Sequence, residues 1–334
     1  MTINIAINGL GRIGRCVLRA IFELKRQDEF NIIAVNGPAS IEEHAHLLKY
    51  DSVHGIFPGD ISFKDKLLII NDKEIPLQQE RDLNKLNWQN VNILFECTGK
   101  FNDKESSLNH ITIAGAKKVI VSAPCKNADA TIVYGVNNSA LKAEDQVISI
   151  GSCTTNCLAP VAKVLNDNIG IEAGFMTTIH SYTNDQRILD GSHKDLRRAR
   201  SAATAIIPTS TGAAKALGLV LPELAGKLDG AAVRVPTPNV SMIDLCFTSS
   251  RDTSIEEINQ LIAANSNNVL TLATAKLVSI DFNHNPHSSI FDPFETKVVN
   301  KRFCRIVAWY DNEWAFSCRM IDIAKLFAEL GERL

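Results

Sequence analysis

The sequence lacks the features that several protein classes require. No window holds the run of about 18 apolar residues that a membrane-spanning helix needs. Neither sign of charge prevails, since 35 basic and 37 acidic residues give a formal net charge of −2. This balance argues against a protein that binds nucleic acid or an acidic membrane through its overall charge. The first residues carry no basic region and no small-residue cleavage site, so we expect a cytoplasmic protein.

Cysteine is present but not in the patterns of a disulfide scaffold or a structural zinc site. The eight cysteines are scattered through 334 residues, and no two have the Cys-x-x-Cys spacing. With 45% hydrophobic residues, the composition is that of an ordinary globular protein. The length is typical of two domains.

The first part of the chain alternates short apolar runs with helical spacing. Ile3–Asn8 reads as a strand, and Arg12–Arg26 carries apolar residues on one helical face. A further helix is expected near Ser106–Ala114, and the later apolar runs are Ile32–Val35, Val91–Glu96, Lys118–Val121, Thr131–Val136 and Val147–Ile150. Buried strands alternating with helices predict an α/β domain of Rossmann type, with a doubly wound parallel sheet, over residues 1–151.

After Cys153 the pattern changes to longer strand-like runs mixed with helices. The predicted helices are Thr154–Asn168, Gly212–Leu219 and Ser254–Asn265, and the predicted strands are Gly174–His180, Ala231–Pro236, Met242–Ser249, Val278–Phe282 and Arg305–Tyr310. This mixture of long strand-like runs and helical segments favours an α+β domain over residues 152–314 with a mostly antiparallel or mixed sheet. The tail Trp314–Leu330 has helical spacing, but periodicity does not decide which domain it joins.

A glycine-rich turn links the first strand to the first helix. Gly9, Gly11 and Gly14 form a G-x-G-x-x-G pattern, in which the glycines permit a tight turn, close approach of a pyrophosphate and close helix–strand packing. The helix N-terminus would then hold the phosphates. We interpret this as a dinucleotide site; the alternative is a glycine-rich turn that binds nothing.

The usual acidic partner of such a turn is missing. An Asp or Glu about 20 residues on normally binds the ribose 2′-hydroxyl of NAD. Here the second strand ends at Asn36 and Gly37, and the nearest carboxylates are those of Glu29 and Glu42. This departure bears on the choice of cofactor.

Cys153 is predicted to open a helix directly after a strand. A thiol there meets the positive end of the helix dipole, so we expect its pKa to be lowered. His180 ends a predicted strand, from which it could act as the base of that thiol. Taken alone, Cys153 could equally be a capped buried thiol and His180 a structural histidine. Cys157 lies one helical turn further along the chain, and we interpret it as a thiol of the core.

Two polar clusters have the composition of anion sites. One runs from Ser181 to Gln186 and continues with Lys194–Arg200; the other is Thr209–Gly212, at the start of a predicted helix. The Lys194–Arg200 run taken alone is more typical of a solvated loop. Arg234 lies within an apolar strand, where a charge needs a partner or a function.

One group of residues has the residue types of a metal site. His284 and His287, with Asp281 upstream, are potential ligands, but Pro286 between the histidines breaks any helix that would place them on one face. We therefore predict no metal.

Together these residues resemble phosphorylating glyceraldehyde-3-phosphate dehydrogenase over nearly the whole chain. The motifs that carry the resemblance are Ile7–Arg15, Leu47–Ser52, Glu96–Gly99, Ser122–Pro124, Ser152–Cys157, Ile207–Lys215, Arg234–Pro238 and Trp309–Trp314. The run Ser-Cys-Thr-Thr-Asn-Cys at 152–157 is the most specific of them.

The resemblance implies roles for individual residues. It implies Cys153 as the nucleophile and His180 as its acid/base partner. The expected cofactor-binding residues are Gly9, Gly11, Arg12, Ile13, Gly14, Gly37, Arg81, Ser122 and Asn312. Those expected around inorganic phosphate and the substrate phosphate are Ser152, Thr154, Thr183, Asp185, Arg198, Thr211, Gly212 and Arg234. It also implies a homotetramer, a nucleotide domain completed by the C-terminal helix 315–334, and no membrane or nucleic acid as the primary partner.

The implied activity is the oxidation of glyceraldehyde 3-phosphate, with inorganic phosphate, to 1,3-bisphosphoglycerate, in glycolysis or gluconeogenesis. The alternatives are the sister activity on erythrose 4-phosphate and a non-catalytic nucleotide-binding protein that serves adhesion or RNA binding. For the cofactor we expect NAD, with NADP accepted, because Gly37 stands where the family commonly has a ribose-binding Asp. Ser40 and Ser192 could donate to a 2′-phosphate, but we expect no arginine near Gly37 to pair with it.

Overall fold

The computed structural model describes residues 2–331. Its α-helices are α1 (Arg12–Glu23), α2 (Ile41–Lys49), α3 (Lys104–Thr112), α4 (Cys153–Ile169), α5 (Ala213–Val220), α6 (Ile255–Ala264) and α7 (Trp314–Gly331). The strands up to residue 149 are β1 (Ile3–Asn8), β2 (Phe30–Asn36), β3 (Tyr50–Asp51), β4 (Gly55–Ile56), β5 (Ile61–Lys64), β6 (Leu67–Ile70), β7 (Lys73–Gln78), β8 (Ile93–Glu96), β9 (Lys118–Val121), β10 (Ala130–Thr131) and β11 (Val147–Ser149). The later strands are β12 (Ile171–Ser181), β13 (Ile207–Ser210), β14 (Leu228–Val235), β15 (Ser241–Ser249), β16 (Leu270–Leu272), β17 (Ser289–Phe291), β18 (Lys297–Val299) and β19 (Phe303–Tyr310).

The chain divides into two compact units. The first runs to Gly151 and takes in the chain from Ser317 onward, and the second is Ser152–Phe316. The division therefore falls within the first turn of α7. Among the described residues, no helix combines the length and the apolar character needed to cross a membrane.

The first unit is built on a sheet whose centre is parallel. Its nine strands lie in the order β10-β11-β9-β8-β1-β2-β7-β6-β5. All neighbours from β10 to β7 are parallel, whereas β7, β6 and β5 form an antiparallel meander. The chain leaves β1 toward β2 and leaves β8 toward β9, so the order reverses between β1 and β8. Ligands of open α/β sheets bind outside the carboxyl ends of the strands at such a reversal.

A buried polar network fills this carboxyl edge. Glu96, at the end of β8, is buried and accepts from the side chain of Asn8 at 2.6 Å and from the backbone N–H and the hydroxyl of Thr98. The Nε2 of His110 lies 3.0 Å from the same carboxylate. Asn8 in turn accepts from Asn36 at the end of β2, at 2.7 Å. Three neighbouring strand ends are thereby held together by one carboxylate.

The second unit contains a mixed eight-stranded sheet. Its order is β13-β14-β12-β15-β19-β17-β16, and β18 pairs with β19. The strands β12 and β14 are parallel, as are β16 and β17, and the remaining pairs are antiparallel. The buried side chains alternate along β15, as expected of a strand with one face on the core.

The α/β and α+β classes are confirmed, but two predicted strands differ. Val278–Phe282 is not a strand: Ser279–Phe282 forms a 3-10 turn in which the Asp281 carboxylate accepts from the backbone N–H of Val278 at 2.9 Å. That local hydrogen bond competes with strand pairing. Of Thr131–Val136, only Thr131 pairs in a strand, because Asn137 turns back and bonds the backbone of Thr131 and Val133.

The Glu96 network predicts a large effect on stability. We expect Glu96→Leu to lower the free energy of unfolding by about 3 kcal/mol, because it leaves buried donors of Asn8 and Thr98 without an acceptor. Urea denaturation measures the change. Glu105→Gln, an exposed position in the first turn of α3, is the matched control and should change stability by less than about 0.5 kcal/mol. Equal effects of the two variants would contradict the role given to Glu96.

Candidate active site

Cys153 is the first residue of α4. The preceding Gly151 has a positive φ of 69°, which turns the chain out of the sheet edge and into the helix. Ser152 is the N-cap, and its hydroxyl accepts from the backbone N–H of Thr155 at 3.1 Å. The thiol thus sits at a capped helix N-terminus, as the sequence predicted.

His180 reaches the thiol from the end of β12. Its Nε2 lies 3.4 Å from the Sγ of Cys153, within hydrogen-bond range for sulfur. The parallel pairing of β12 with β14 places Arg234 directly opposite His180 in the register. The strand-end histidine, the helix-start cysteine and the arginine of the apolar strand are therefore brought together.

Tyr310, at the end of β19, is a buried component that sequence analysis did not single out. Its hydroxyl bonds the hydroxyls of Thr154 at 2.8 Å and Thr178 at 2.9 Å, tying α4 to β12. Its ring meets the His180 ring edge to face, with centroids 6.0 Å apart. The signal was available in the sequence, since a tyrosine ending a buried apolar strand needs a partner for its hydroxyl.

The Nδ1 of His180 has two competing neighbours. It lies 2.7 Å from the carbonyl oxygen of Ser181 and 2.7 Å from the Nη1 of Arg234. A carbonyl only accepts and a guanidinium only donates, so Nδ1 can satisfy one of them at a time. When Nδ1 carries the proton and donates to Ser181, the lone pair of Nε2 faces Cys153 and His180 can act as its base. When Nδ1 accepts from Arg234, the proton sits on Nε2 instead.

Burial and positive charge keep His180 neutral. Desolvation, helped by the charges of Arg234 and Arg198, lowers the pKa of His180 to about 3. Burial also raises the pKa of the Cys153 thiol, although the charge of Arg234 and the backbone N–H of Thr154 oppose it. The expectation of a lowered cysteine pKa is therefore wrong for this structure, because desolvation of the thiolate outweighs the favourable charges around it.

Several residues expected around phosphate lie near His180. Arg198 is half-buried and donates to Asp185 at 2.6 Å and to the hydroxyl of Thr209 at 2.9 Å. Arg234 carries no carboxylate contact of that kind, and its Nε is buried without a hydrogen-bond partner among the described residues. Lys194, Arg197 and Arg200 are exposed. Among the basic residues of the run 194–200, only Arg198 is partly buried.

The remaining residues expected around phosphate occupy turns and helix starts. The backbone N–H of Thr183 donates to Gln186 at 2.8 Å, and the Thr211 hydroxyl accepts from the N–H of Ala213 at 3.2 Å. Gly212 is the N-cap of α5, which packs against α4, and a Cβ there would meet open space. The Thr154 hydroxyl bonds Tyr310, and both that hydroxyl and the backbone N–H of Thr154 act on the Cys153 thiol.

In the first unit, the glycine turn has the form that a dinucleotide requires. A Cβ on Gly14 would overlap the carbonyl oxygen of Gly9, and Gly9 has a φ of 99°, so neither position accepts a side chain. A Cβ on Gly11 would meet open space, where a phosphate can approach the backbone. Gly9 and Gly11 border a cavity of about 370 Å³ at the carboxyl ends of β1, β2 and β8. The residues present therefore fit a dinucleotide.

The other cofactor candidates in this unit contribute differently. The Arg12 side chain is bound to Asp51 through two contacts of 2.6 and 3.0 Å, so Arg12 and Ile13 offer backbone N–H groups of the first turn of α1. Arg81 lines the cavity, whereas Ser122 lies beside Cys97 and bonds the backbone of Glu96.

Two expectations about the end of β2 need correction. The Ser40 hydroxyl belongs to the N-terminal capping box of α2 with Glu43, so it is not an available donor. Positive charge does lie near Gly37, because Arg81 lines the same cavity and the charge of Arg15 acts on the neighbouring His44. The fold brings these arginines close although the sequence separates them.

The last candidates lie in the second unit. The Asn312 side-chain oxygen accepts from Ser181 at 2.7 Å and from Ser241 at 2.9 Å, which supports the segment that carries His180. His284 stacks on Trp314 with centroids 3.6 Å apart, and the Nδ1 of His287 lies 2.9 Å from the side-chain oxygen of Asn285.

The lowered pKa of His180 predicts a pH-dependent stability. The unfolded state binds a proton near pH 6.5 and the folded state only near pH 3, so stability falls as pH drops through that window. Between pH 7 and pH 5 we expect wild type to lose about 2 kcal/mol more than His180→Gln, whose side chain does not titrate. Urea denaturation at both pH values measures this. His44 titrates in both proteins, so its contribution cancels, and parallel losses would contradict the burial of a neutral His180.

Comparison with known proteins identifies the family of the chain. The NAD binding domain model of glyceraldehyde 3-phosphate dehydrogenase matches residues 3–104, and its C-terminal domain model matches residues 152–312. The glyceraldehyde-3-phosphate dehydrogenase of Cereibacter sphaeroides is 55% identical over 334 residues, covering 99% of this chain and 100% of the relative. Proteins of the same name from Xanthobacter flavus and Geobacillus stearothermophilus are 53% and 50% identical, each covering 99% of this chain and 100% of the relative. The chain belongs to the glyceraldehyde-3-phosphate dehydrogenase family.

Proposed function

We propose that this protein catalyses the NAD-dependent oxidative phosphorylation of glyceraldehyde 3-phosphate to 1,3-bisphosphoglycerate. The observation that carries the proposal is the contact of 3.4 Å between the thiol of Cys153, at the start of α4, and the imidazole of His180. A sulfur nucleophile beside a base is the arrangement needed to capture an aldehyde covalently. The family membership and the names of the relatives support the same substrate.

In the first step the Cys153 sulfur attacks the aldehyde carbon and forms a thiohemiacetal. His180, with Nδ1 donating to the carbonyl of Ser181, takes the proton of the hemiacetal hydroxyl at Nε2 as the carbon is oxidised. The product is a thioester on Cys153. Attack of inorganic phosphate on its carbonyl carbon breaks the C–S bond, and the sulfur leaves as the thiolate.

NAD, when bound, accepts the hydride that leaves the carbon of the thiohemiacetal. On the protein side, the backbone turn formed by Gly9, Gly11 and Gly14 would hold the pyrophosphate. The first-turn N–H groups of Arg12 and Ile13 add donors, and Arg81 lines the rest of the cavity. We assign Gly37, Ser122 and Asn312 to the same cofactor from the family resemblance.

Two anions have to be bound during the reaction. We assign the substrate phosphate to Arg234, Arg198 and Thr183, with Asp185 holding Arg198 in place. Inorganic phosphate is assigned to the helix starts at Ser152, Thr154, Thr211 and Gly212, where N–H groups and hydroxyls favour an anion. If Arg234 turns to a phosphate it releases Nδ1 of His180, and Nε2 is then free to act as the base.

Further expectations concern the setting of the enzyme. We propose residues 1–151 with the C-terminal helix as the nucleotide domain, residues 152–314 as the catalytic and tetramerisation domain, a homotetramer and a cytoplasmic location. The exposed side chains of Ile188, Leu189 and Leu196 support contacts between subunits. Among the described residues the cysteines form no disulfide, which supports a reducing compartment.

The alternatives make different demands. Activity on erythrose 4-phosphate would share Cys153 and His180, but nothing in the family models or the relatives' names favours it. A non-catalytic protein would not need His180 to be held against the thiol. Initial rates with each aldehyde, with and without inorganic phosphate, distinguish the proposed function from these two alternatives.

We expect Cys153→Ser to abolish oxidative phosphorylation and to leave NAD binding intact. A serine hydroxyl is a much weaker acid and a weaker nucleophile than a thiol, so it cannot replace the Cys153 sulfur when His180 acts as the base. NADH formation and NAD binding by calorimetry are the two measurements. Cys125→Ser, at a thiol whose pKa burial raises to about 11, is the control that should keep full activity. Substantial turnover by the serine variant would rule out Cys153 as the nucleophile.

We further propose that NADP is accepted beside NAD. No carboxylate at position 37 repels a 2′-phosphate, and the positive Arg81 lines the same cavity. The missing repulsion is worth on the order of 1–3 kcal/mol. We therefore expect the kcat/KM preference for NAD to stay below about a thousandfold.

A carboxylate introduced at position 37 should restore the preference for NAD by at least about tenfold. A Cβ on Gly37 would overlap the ring of His44, so the variant to measure is Gly37→Asp with His44→Ala, against His44→Ala alone. An unchanged ratio would contradict the role given to Gly37.

A further inference from the structure

His44 lies where the ribose-binding carboxylate of a dinucleotide site is normally found. It belongs to α2, is only 5% exposed, and borders the cavity that Gly9, Gly11 and Asn36 also line. A Cβ built on Gly37 would overlap the His44 Nε2 and lie 2.6 Å from its Cε1. The edge of the imidazole therefore occupies the direction that a side chain at position 37 would take.

Both ring nitrogens of His44 are buried without a hydrogen-bond partner among the described residues. The Gly37 backbone approaches the ring as a hydrogen-bonding group and raises its pKa, but the contact lacks the geometry of a full hydrogen bond. A neutral imidazole offers one donor and one acceptor. Leaving such groups buried and unsatisfied is unfavourable, so a ligand that supplies a partner at this point of the cavity gains affinity.

The charges around His44 favour its neutral form. Burial and the charge of Arg15 lower its pKa, and Gly37 and Glu43 oppose this only in part. The cavity is also lined by Glu80, Arg81 and Lys100. At neutral pH the ring is therefore an uncharged group that can hydrogen-bond a hydroxyl.

We propose that His44 binds the 2′-hydroxyl of the adenosine ribose, in place of the carboxylate that position 37 lacks. The proposal rests on the dinucleotide binding proposed above and assigns a residue that the family resemblance did not provide. A neutral imidazole holds the hydroxyl without repelling a phosphate at the same oxygen. One side chain thus accounts both for affinity toward NAD and for tolerance of NADP.

Binding of NAD and of its 2′-deoxyadenosine analogue, measured by calorimetry, tests this without any turnover. Wild type should bind the deoxy analogue about tenfold more weakly than NAD, the loss expected for one hydrogen bond to a buried partner. His44→Leu should weaken NAD by about tenfold and leave the deoxy analogue within about twofold. His44→Gln, which keeps a donor and an acceptor, should recover part of the affinity for NAD.

His46→Leu is the matched control, because His46 is exposed on the same helix and its ring contacts that of Tyr50 rather than bordering the cavity. It should bind both ligands as wild type does. Equal weakening of both ligands by His44→Leu would mean that His44 only shapes the cavity, and no change would exclude it from the site.

The comparison of the two ligands on wild type also stands alone, should a variant fail to fold. If wild type binds both equally, the 2′-hydroxyl is not recognised and the proposal is wrong. If wild type binds neither, the dinucleotide function itself fails, which is a distinct outcome.

Discussion

The carboxylate of Glu96 is buried at the end of β8, where Asn8 and Thr98 donate to it and the Nε2 of His110 lies 3.0 Å away. Those bonds, with the link from Asn8 to Asn36, hold the ends of β8, β1 and β2 in register with one another. The glycine turn begins one residue after Asn8, and Gly37 follows Asn36. The shape of the nucleotide cavity therefore depends on how this one buried charge is satisfied.

The same requirement shapes the second unit. The Tyr310 hydroxyl would be costly to bury alone, and its bonds to Thr154 and Thr178 join the start of α4 to the middle of β12. Ser181, Ser241 and Asn312 form a further set of hydrogen bonds behind His180. The distance between the Cys153 sulfur and the His180 ring is thus set by polar groups that stabilise each other and not by the apolar core alone.

Two of the residues with buried side-chain atoms that lack a hydrogen-bond partner border the proposed ligand sites. The Nε of Arg234 is buried without a partner, and so are both ring nitrogens of His44. Buried polar groups are otherwise almost always bonded, so such exceptions are informative. Arg234 is the residue that we propose for the substrate phosphate, and His44 is the one that we propose for the ribose hydroxyl.

Local sequence determined the features that depend on neighbouring residues. β1 spans the residues that the apolar run predicted, the glycine turn follows from steric limits on Gly9 and Gly14, and Cys153 opens α4 because Ser152 caps it. The periodicity of apolar residues also distinguished the parallel sheet of the first unit from the mixed sheet of the second. It failed at Val278–Phe282, where a hydrogen bond to the Asp281 side chain replaced strand pairing.

Only the tertiary structure decided which residues distant in the chain meet. The register of β12 and β14 put Arg234 against His180, burial reversed the expected direction of the Cys153 pKa, and α2 carried His44 against Gly37. Desolvation and contacts between separate elements depend on how the whole chain packs, and no local pattern of residues encodes that.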